Sequence, residues 1–276
     1  IVELQEHINR EIDTFVDVFC GSGVVGVNSV AKNIHCNDNN PYTIEVLKYL
    51  YNNNFDTIIQ HLEKIIVDYN LTYSRIQPKG TYTEYRHEGL SLYNKEGYNR
   101  LKADYNTLHT TDKLLVLLIY GFNHYLRFNS HGQFNVPVGK VDLSRSIYNN
   151  LQKFVDGIKQ KSIHTSIHDF RESQLYQNAD AFYYFDPPYL VTTAPYNAQW
   201  GIEEEEALLQ LLDKLHEDCK RFALSNVLLS NGKENTLLKE WSKRYNIHYL
   251  RRQYRNANYQ KKNITDTIEV LITNYE

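Results

Sequence analysis

Short β-rich apolar runs alternate with segments whose apolar residues recur at helical spacing, and that order predicts an α/β core. Residues 14–20 (TFVDVFC) read as a strand that ends in Gly21-Ser22-Gly23, and residues 24–32 as the helix that follows. Residues 34–36 read as a second strand, with Asn37-Asp38-Asn39-Asn40 at its end and Pro41 placed for the first turn of a helix. Leu, Ile and Tyr keep helical spacing from 42 to 70. Between 71 and 145 Tyr, Asn, Gly and His dominate, with one apolar helix expected at 112–123, a turn at Ser130-His131-Gly132 and a short strand at 133–136. Alternation then resumes: helix 143–160, strands 163–167 and 181–185, helix 203–218, strand 221–225, helix 233–245 and strand 267–273. The pattern implies a catalytic core of residues 1–70 and 146–276 with a largely parallel sheet, interrupted by an inserted module at 71–145.

Composition narrows the class. At 276 residues, 42% hydrophobic and 23% charged, the chain is globular, and it has no apolar run long enough to cross a bilayer. Three scattered cysteines argue against a disulfide scaffold and for a cytoplasmic location. A chain without a single Met that starts at Ile1 reads as an incomplete listing of the protein. The net charge of −3 hides local sorting. Arg251, Arg252, Arg255, Lys261 and Lys262 lie in one acid-free stretch and read as either a plain solvated loop or a phosphate-contacting one, while Glu203–Glu206 reads as an acidic first helical turn. Tyrosine, present 23 times, offers a flat stacking face together with a polar edge.

Two constellations carry chemistry. Gly21-x-Gly23-x-x-Gly26 after a strand, with Asp38 at the tip of the next, is a nucleotide or nucleoside pattern: glycines let the backbone turn and approach a ligand, and the carboxylate accepts from a ribose diol. Its plain alternative is an ordinary strand-to-helix turn. Residues 183–189 (YYFDPPY) then put Asp186, two prolines and Tyr189 straight after a buried strand. Asp186 and the Pro187 carbonyl can each accept one hydrogen of an exocyclic amine while Tyr189 stacks on the ring that bears it. Holding both hydrogens in this way aims the nitrogen lone pair at an electrophile. Its plain alternative is a proline-rich turn capping a strand. His164 and His168 lie four apart, but on an expected strand with no further ligand, so no metal is expected.

These residues resemble the Dam-type DNA adenine-N6 methyltransferases over nearly the whole chain. VDVFCGSGVVG is similar to the family's S-adenosylmethionine motif, RFNSHGQFNVPVGK to a block of its recognition domain, HDF (168–170) to the motif near the cofactor adenine and FDPPY to the catalytic motif. The resemblance implies a Rossmann-like S-adenosylmethionine-dependent fold with a mostly helical inserted DNA-recognition subdomain. It implies methyl transfer to adenine N6 in double-stranded DNA, with the base flipped into the pocket and no membrane or metal involved. By position, Asp186, Pro187 and Tyr189 become catalytic, while Phe19, Gly21, Ser22, Gly23, Asp38, Asp169 and Phe170 contact S-adenosylmethionine. Asn123, Tyr125, Arg127 and Asn129 become candidates for base contacts, and Lys140, Arg251, Arg252 and Arg255 for phosphates. For Asn129 and Asn135 a turn-capping role is the alternative.

A cognate restriction endonuclease is an open partner. The family's upstream segment, of the form NYIGSK, does not precede Phe15 and is expected before Ile1. Four alternatives stay open at this level: an NAD-dependent oxidoreductase using the glycine turn, an RNA adenine methyltransferase, a cytosine-N4 enzyme, and a non-catalytic DNA-binding protein that keeps the fold. Asp186, where cytosine enzymes more often show Ser, favours adenine.

Overall fold

The computed structural model describes residues 12–78, 80–85, 89–192, 200–250 and 267–275. The chain divides into two compact units, residues 1–41 with 161–276, and residues 42–160. The inserted unit is therefore larger than the 71–145 expected. The segments on either side of that stretch are amphipathic helices whose apolar faces join the insert's own core.

The first unit is built on one sheet of eight strands: β1 (Thr14–Asp17), β2 (Asn33–Asn37), β3 (Ser162–Ser166), β4 (Phe182–Phe185), β5 (Arg221–Ser230), β6 (Lys233–Glu234), β7 (Asn246–Leu250) and β8 (Ile268–Thr273). Their order is β3-β2-β1-β4-β5-β8-β7, with β6 pairing only β5. Strands β1 to β5 run parallel, whereas β8 is antiparallel to both β5 and β7. The helices of this unit are α1 (Val24–Asn28), α7 (Ile202–Glu217) and α8 (Thr236–Ser242). Strand β4 (FYYF) is buried at every position, as a central parallel strand must be. Its Tyr183 and Phe185 join Val16, Phe222 and Leu224 under Leu208, Leu212 and Trp241.

The sheet is the expected largely parallel one, with local differences. The region expected as one helix at 233–245 holds β6 and then only the short α8, because Asn235 caps the helix by accepting from the Leu238 N–H (3.0 Å). Strand β7 was not expected. Its residues, NIHYL, alternate only weakly in burial, and β8 on one side supplies its pairing.

The second unit holds α2 (Pro41–Asn52), α3 (Phe55–Asp68), α4 (Ser91–Thr107), α5 (Thr111–Tyr120) and α6 (Arg145–Lys159). Helix α5 is polar in its first turn and apolar from Leu114 onward, and that apolar stretch is central to the core. Helix α4 was missed because it is polar, Tyr- and Asn-rich and buries only Asn94, Gly97, Tyr98, Leu101 and Tyr105. No strand forms at 133–136. Single bridges join Phe128 to Phe134 and Gly121 to Val138, and Gly132 makes the turn at φ +71°. Among the described residues, no helix is long and apolar enough to cross a membrane.

Candidate functional site

Strands β1 to β4 run parallel, so their C-terminal ends meet at one edge of the sheet, and the expected cofactor and catalytic residues follow directly from those ends. After β1 the chain turns through Gly21 (φ +47°) and Gly23 (φ +72°), conformations that glycine adopts without strain. A Cβ built on Gly21 would meet nothing within 4 Å among the described residues, so they leave the space beside this turn open. Gly26 serves a different end: a Cβ there would lie 2.9 Å from Ile34 Cγ2, so this glycine lets α1 approach β2. Ser22 is exposed and Gly23 buried. Asp38, just beyond β2, accepts from the Gly21 N–H and the Asn40 N–H, both at 2.9 Å, which locks the two turns to one carboxylate. Burial pushes Asp38 above the usual carboxylate range, although the two N–H groups pull the other way. A carboxylate has about four acceptor positions, so capacity for a ribose hydroxyl remains.

Phe19 and Phe170 stand 5.5 Å apart, centroid to centroid. Trp200, which sequence reasoning missed, meets Phe19 at 5.7 Å and Phe170 at 5.5 Å and closes a three-ring cluster. Trp200 is fixed by Glu205, which accepts from its indole N–H (2.8 Å) and from the side-chain amides of Asn235 (2.8 Å) and Asn226 (3.4 Å). Glu205 is fully buried, so the run Glu203–Glu206 is not simply a solvated helix start. Glu204 does cap that start, accepting from the Gly201 N–H at 2.9 Å. A Trp just ahead of an acidic run was the signal available in the sequence. Asp169 is engaged within its own turn, accepting from the Arg171 N–H (2.9 Å) and pairing with Arg171 Nε (3.1 Å).

Beyond β4, Asp186 is half-buried and Pro187 buried. The Tyr189 hydroxyl donates to Asp186 Oδ1 at 2.6 Å and lies 3.5 Å from Ser225 Oγ on β5. Burial above all, and then the Asp186 charge, push the Tyr189 hydroxyl far above its usual range, so it stays a neutral donor to that carboxylate.

Asp17, at the end of β1, is 1% exposed. Its Oδ2 accepts from the Gly26 N–H (3.2 Å), and its Oδ1 has no hydrogen-bond partner among the described residues. Burial, then the Asp186 charge, push Asp17 up to about 8, with Asp38 adding a little and the Gly26 N–H opposing. Asp17 thus feels the charges of both Asp186 and Asp38 at this edge, an arrangement that favours a cationic ligand beside it.

In the second unit, Asn123 and Arg127 are exposed, Tyr125 and Asn129 half-buried, and Lys140 exposed. Arg127 donates through Nε to Asn135 Oδ1 (2.8 Å) and through Nη2 to Asn135 O (3.1 Å). Asn129 Oδ1 accepts from the N–H groups of His131 and Gln133, both at 3.0 Å, which is the turn-capping role. Asn123 and the adjacent His124 both hold positive φ, 52° and 56°. Such pairs of left-handed non-glycine residues store strain, and strain of this kind concentrates at functional sites. Arg251, Arg252 and Arg255 lie outside the described residues.

Comparison with known proteins adds four findings. The family profile described as "D12 class N6 adenine-specific DNA methyltransferase" matches residues 1–256. The chain is 36% identical over 276 residues to the Type II methyltransferase M.FokI of Planomicrobium okeanokoites, which covers 96% of this chain and 39% of that protein. It is 33% identical over 278 residues to the modification methylase StsI of Streptococcus sanguinis, covering 97% of this chain and 40% of that protein. A DNA adenine methylase of Escherichia coli strain K12 is 25% identical over 166 residues, 56% of this chain and 57% of that protein. The chain therefore spans about two fifths of the length of the first two relatives.

Proposed function

The chain belongs to the D12 class of N6 adenine-specific DNA methyltransferases, and from that premise we propose that it transfers a methyl group from S-adenosylmethionine to N6 of an adenine flipped out of double-stranded DNA. The observation that carries the reading is the DPPY turn, whose Asp186 is held by Tyr189 at the same sheet edge as the glycine turn and Asp38.

The residues fit the cofactor. The described residues leave the space beside Gly21 open, Asp38 retains acceptor capacity for a ribose, the Phe19–Phe170–Trp200 cluster offers flat apolar faces for an adenine ring, and Asp17 Oδ1 is a buried acceptor in want of a cation or an N–H group. When bound, S-adenosylmethionine supplies a methyl group already activated by its sulfonium, which leaves the protein chiefly the task of alignment.

Alignment is what the DPPY residues provide. Asp186 and the Pro187 carbonyl accept the two hydrogens of the adenine amine, and Tyr189 stacks on the base. The Tyr189 hydroxyl fixes the rotamer of the carboxylate before any base arrives. As N6 gains its new bond it must lose a proton, and Asp186, already accepting from that amine, is placed to take it.

The second unit supplies the base contacts in this proposal. Asn123, Tyr125, Arg127 and Asn129 reach base edges, while Lys140, Arg251, Arg252 and Arg255 grip phosphates. The names of the first relatives, a Type II methyltransferase and a modification methylase, support a restriction endonuclease as partner and a place in the cytoplasm beside the DNA. The test is to incubate the chain with methyl-labelled S-adenosylmethionine and duplex DNA, then digest to nucleosides and resolve them by mass spectrometry. Label in N6-methyladenine is expected. Label in N4-methylcytosine, or in RNA alone, would overturn the substrate; tight NADH binding without any response to S-adenosylhomocysteine would overturn the reaction.

A further inference from the structure

Asn37 is the last residue of β2 and is 1% exposed, and neither the glycine pattern nor the DPPY turn gives it a task. Its side-chain amide spends all four of its hydrogen-bonding positions. Nδ2 donates to Val18 O and to His168 O, both at 3.0 Å. Oδ1 accepts from the His168 N–H (3.1 Å) and the Ser166 hydroxyl (2.7 Å). The backbone carbonyl of Asn37 adds a fifth bond, accepting from the Cys20 N–H at 2.8 Å.

These partners lie on strands that do not touch. β2 separates β1 from β3, Val18 is one residue past the end of β1, and His168 is two residues past the end of β3. The backbone at the end of β2 bonds each neighbour separately, through Cys20 N–H to Asn37 O and Asp38 N–H to Ser166 O, whereas the Asn37 amide bonds both turns at once. The turns so joined carry Phe19 on one side and Asp169 and Phe170 on the other.

We propose that Asn37 is a positioning residue: its amide clamps the turn after β1 to the turn after β3 and thereby sets the separation of Phe19 and Phe170. The proposal rests on reading those two rings as part of the S-adenosylmethionine pocket. The clamp fixes the slot before a ligand arrives, so its contribution is to affinity for the cofactor rather than to the chemical step. Asn suits the task by elimination. Asp keeps the shape but presents an acceptor to two carbonyls, Gln adds a methylene, and Leu leaves two carbonyls and an N–H without partners.

A second set of bonds fixes which way the amide points. Because the Ser166 hydroxyl donates to Asn37, its oxygen accepts from His35 Nε2 (2.7 Å), and the chain runs His35 N–H to Ser166 O–H to Asn37 Oδ1. Burial, with help from His164 and His168, pulls His35 down to about 4, so near neutrality the imidazole is uncharged and carries its proton on Nε2.

The experiment uses the whole chain. S-adenosylhomocysteine affinity is measured by calorimetry, S-adenosylmethionine KM and kcat by methyl transfer, and DNA affinity by anisotropy, for the native chain, Asn37→Asp and Ser166→Ala. In Asn37→Asp the Kd for S-adenosylhomocysteine and the KM for S-adenosylmethionine should each rise on the order of tenfold or more, with kcat at saturation and DNA affinity changed by less than about threefold. Ser166→Ala keeps both amide donors in place and should cost less than about threefold in Kd. A folded Asn37→Asp chain with native affinity overturns the clamp. If that variant does not fold, hydrogen exchange on the ligand-free native chain decides instead. The His168 amide, whose acceptor is Asn37 Oδ1, should be slowed on the order of a hundredfold relative to an open loop, and open-loop exchange overturns the proposal. A native chain that binds no S-adenosylhomocysteine sinks the cofactor reading itself, and the exchange rate of His168 still judges whether the clamp exists.

Discussion

The two units both bury polar side chains, but for different purposes. In the unit of residues 1–41 and 161–276, ladders satisfy the strand backbones, and Asp17, Asn37 and, half-buried, Asp186 sit where the parallel ladders stop. Among the described residues of 42–160 there is no sheet, and side chains from helices satisfy loop backbone in its place. Asn94 Oδ1 accepts from the Thr72 N–H (2.7 Å), Tyr120 donates to Thr72 O (2.6 Å), and Tyr98 donates to Val136 O (3.2 Å). Asn106 both donates to Phe134 O (3.1 Å) and accepts from its N–H (2.8 Å). A buried amide or phenol is therefore not by itself the mark of a site. It is scaffold where it completes a loop's hydrogen bonds, and chemistry where an acceptor at a strand end is left open to a ligand.

Substitutions can break this contrast. The largest effect is expected at Asp186→Ala, where methyl transfer should fall on the order of 10²-fold or more while S-adenosylhomocysteine affinity changes less than about threefold. Retained turnover in a labelled-methyl assay would remove Asp186 from the mechanism. In the other unit, Asn94→Leu strands the buried Thr72 N–H and should cost about 1–3 kcal/mol in urea unfolding. Full stability in that variant would mean the helix-to-loop bonds are not what holds the unit.

Arg127→Ala should reduce discrimination between cognate and non-cognate duplexes by about 1–3 kcal/mol, whereas Arg252→Ala should weaken both alike and lower the salt dependence by about one phosphate contact. Equal losses on both duplexes in the two variants would undo that division. The smallest signal concerns Asp17. With its carboxyl near 8 in the ligand-free fold, it is protonated at pH 7; a cationic ligand group reaching Oδ1 lowers that value, and the proton leaves. Binding of S-adenosylhomocysteine should thus release up to about one proton at pH 7 and much less above pH 9, where Asp17 is already ionised. Buffer-dependent calorimetry reads this, and identical release from Asp17→Asn would assign the proton to another group.

Legibility followed the same division. The first parallel strands, the glycine turn, Asp38 and the DPPY turn were readable because each depends on a local pattern: an apolar run, a residue with positive φ, a carboxylate one step past a strand. Helix α4 was not, because Asn94, Tyr98 and Tyr105 look like surface residues until a loop needs their polar ends. Strand β7 and the split at 233–245 also escaped, since pairing with a distant β8 and a cap at Asn235 decided them. Trp200 escaped, and Glu205 was read only as part of an acidic helical turn. Their bond is local, but the place of Trp200 beside Phe19 joins segments well over a hundred residues apart.

From sequence alone, this protein's family, its largely parallel α/β core and the residue types at its candidate site were legible, because short-range constraints on turns and strand ends leave recognisable strings. Only the tertiary structure decided which acceptors stay open, that Arg127 braces Asn135, and that one amide at Asn37 ties together two turns on either side of it. Hydrogen-bond satisfaction is a property of the assembled neighbourhood, and no spacing along the chain encodes which partner will arrive.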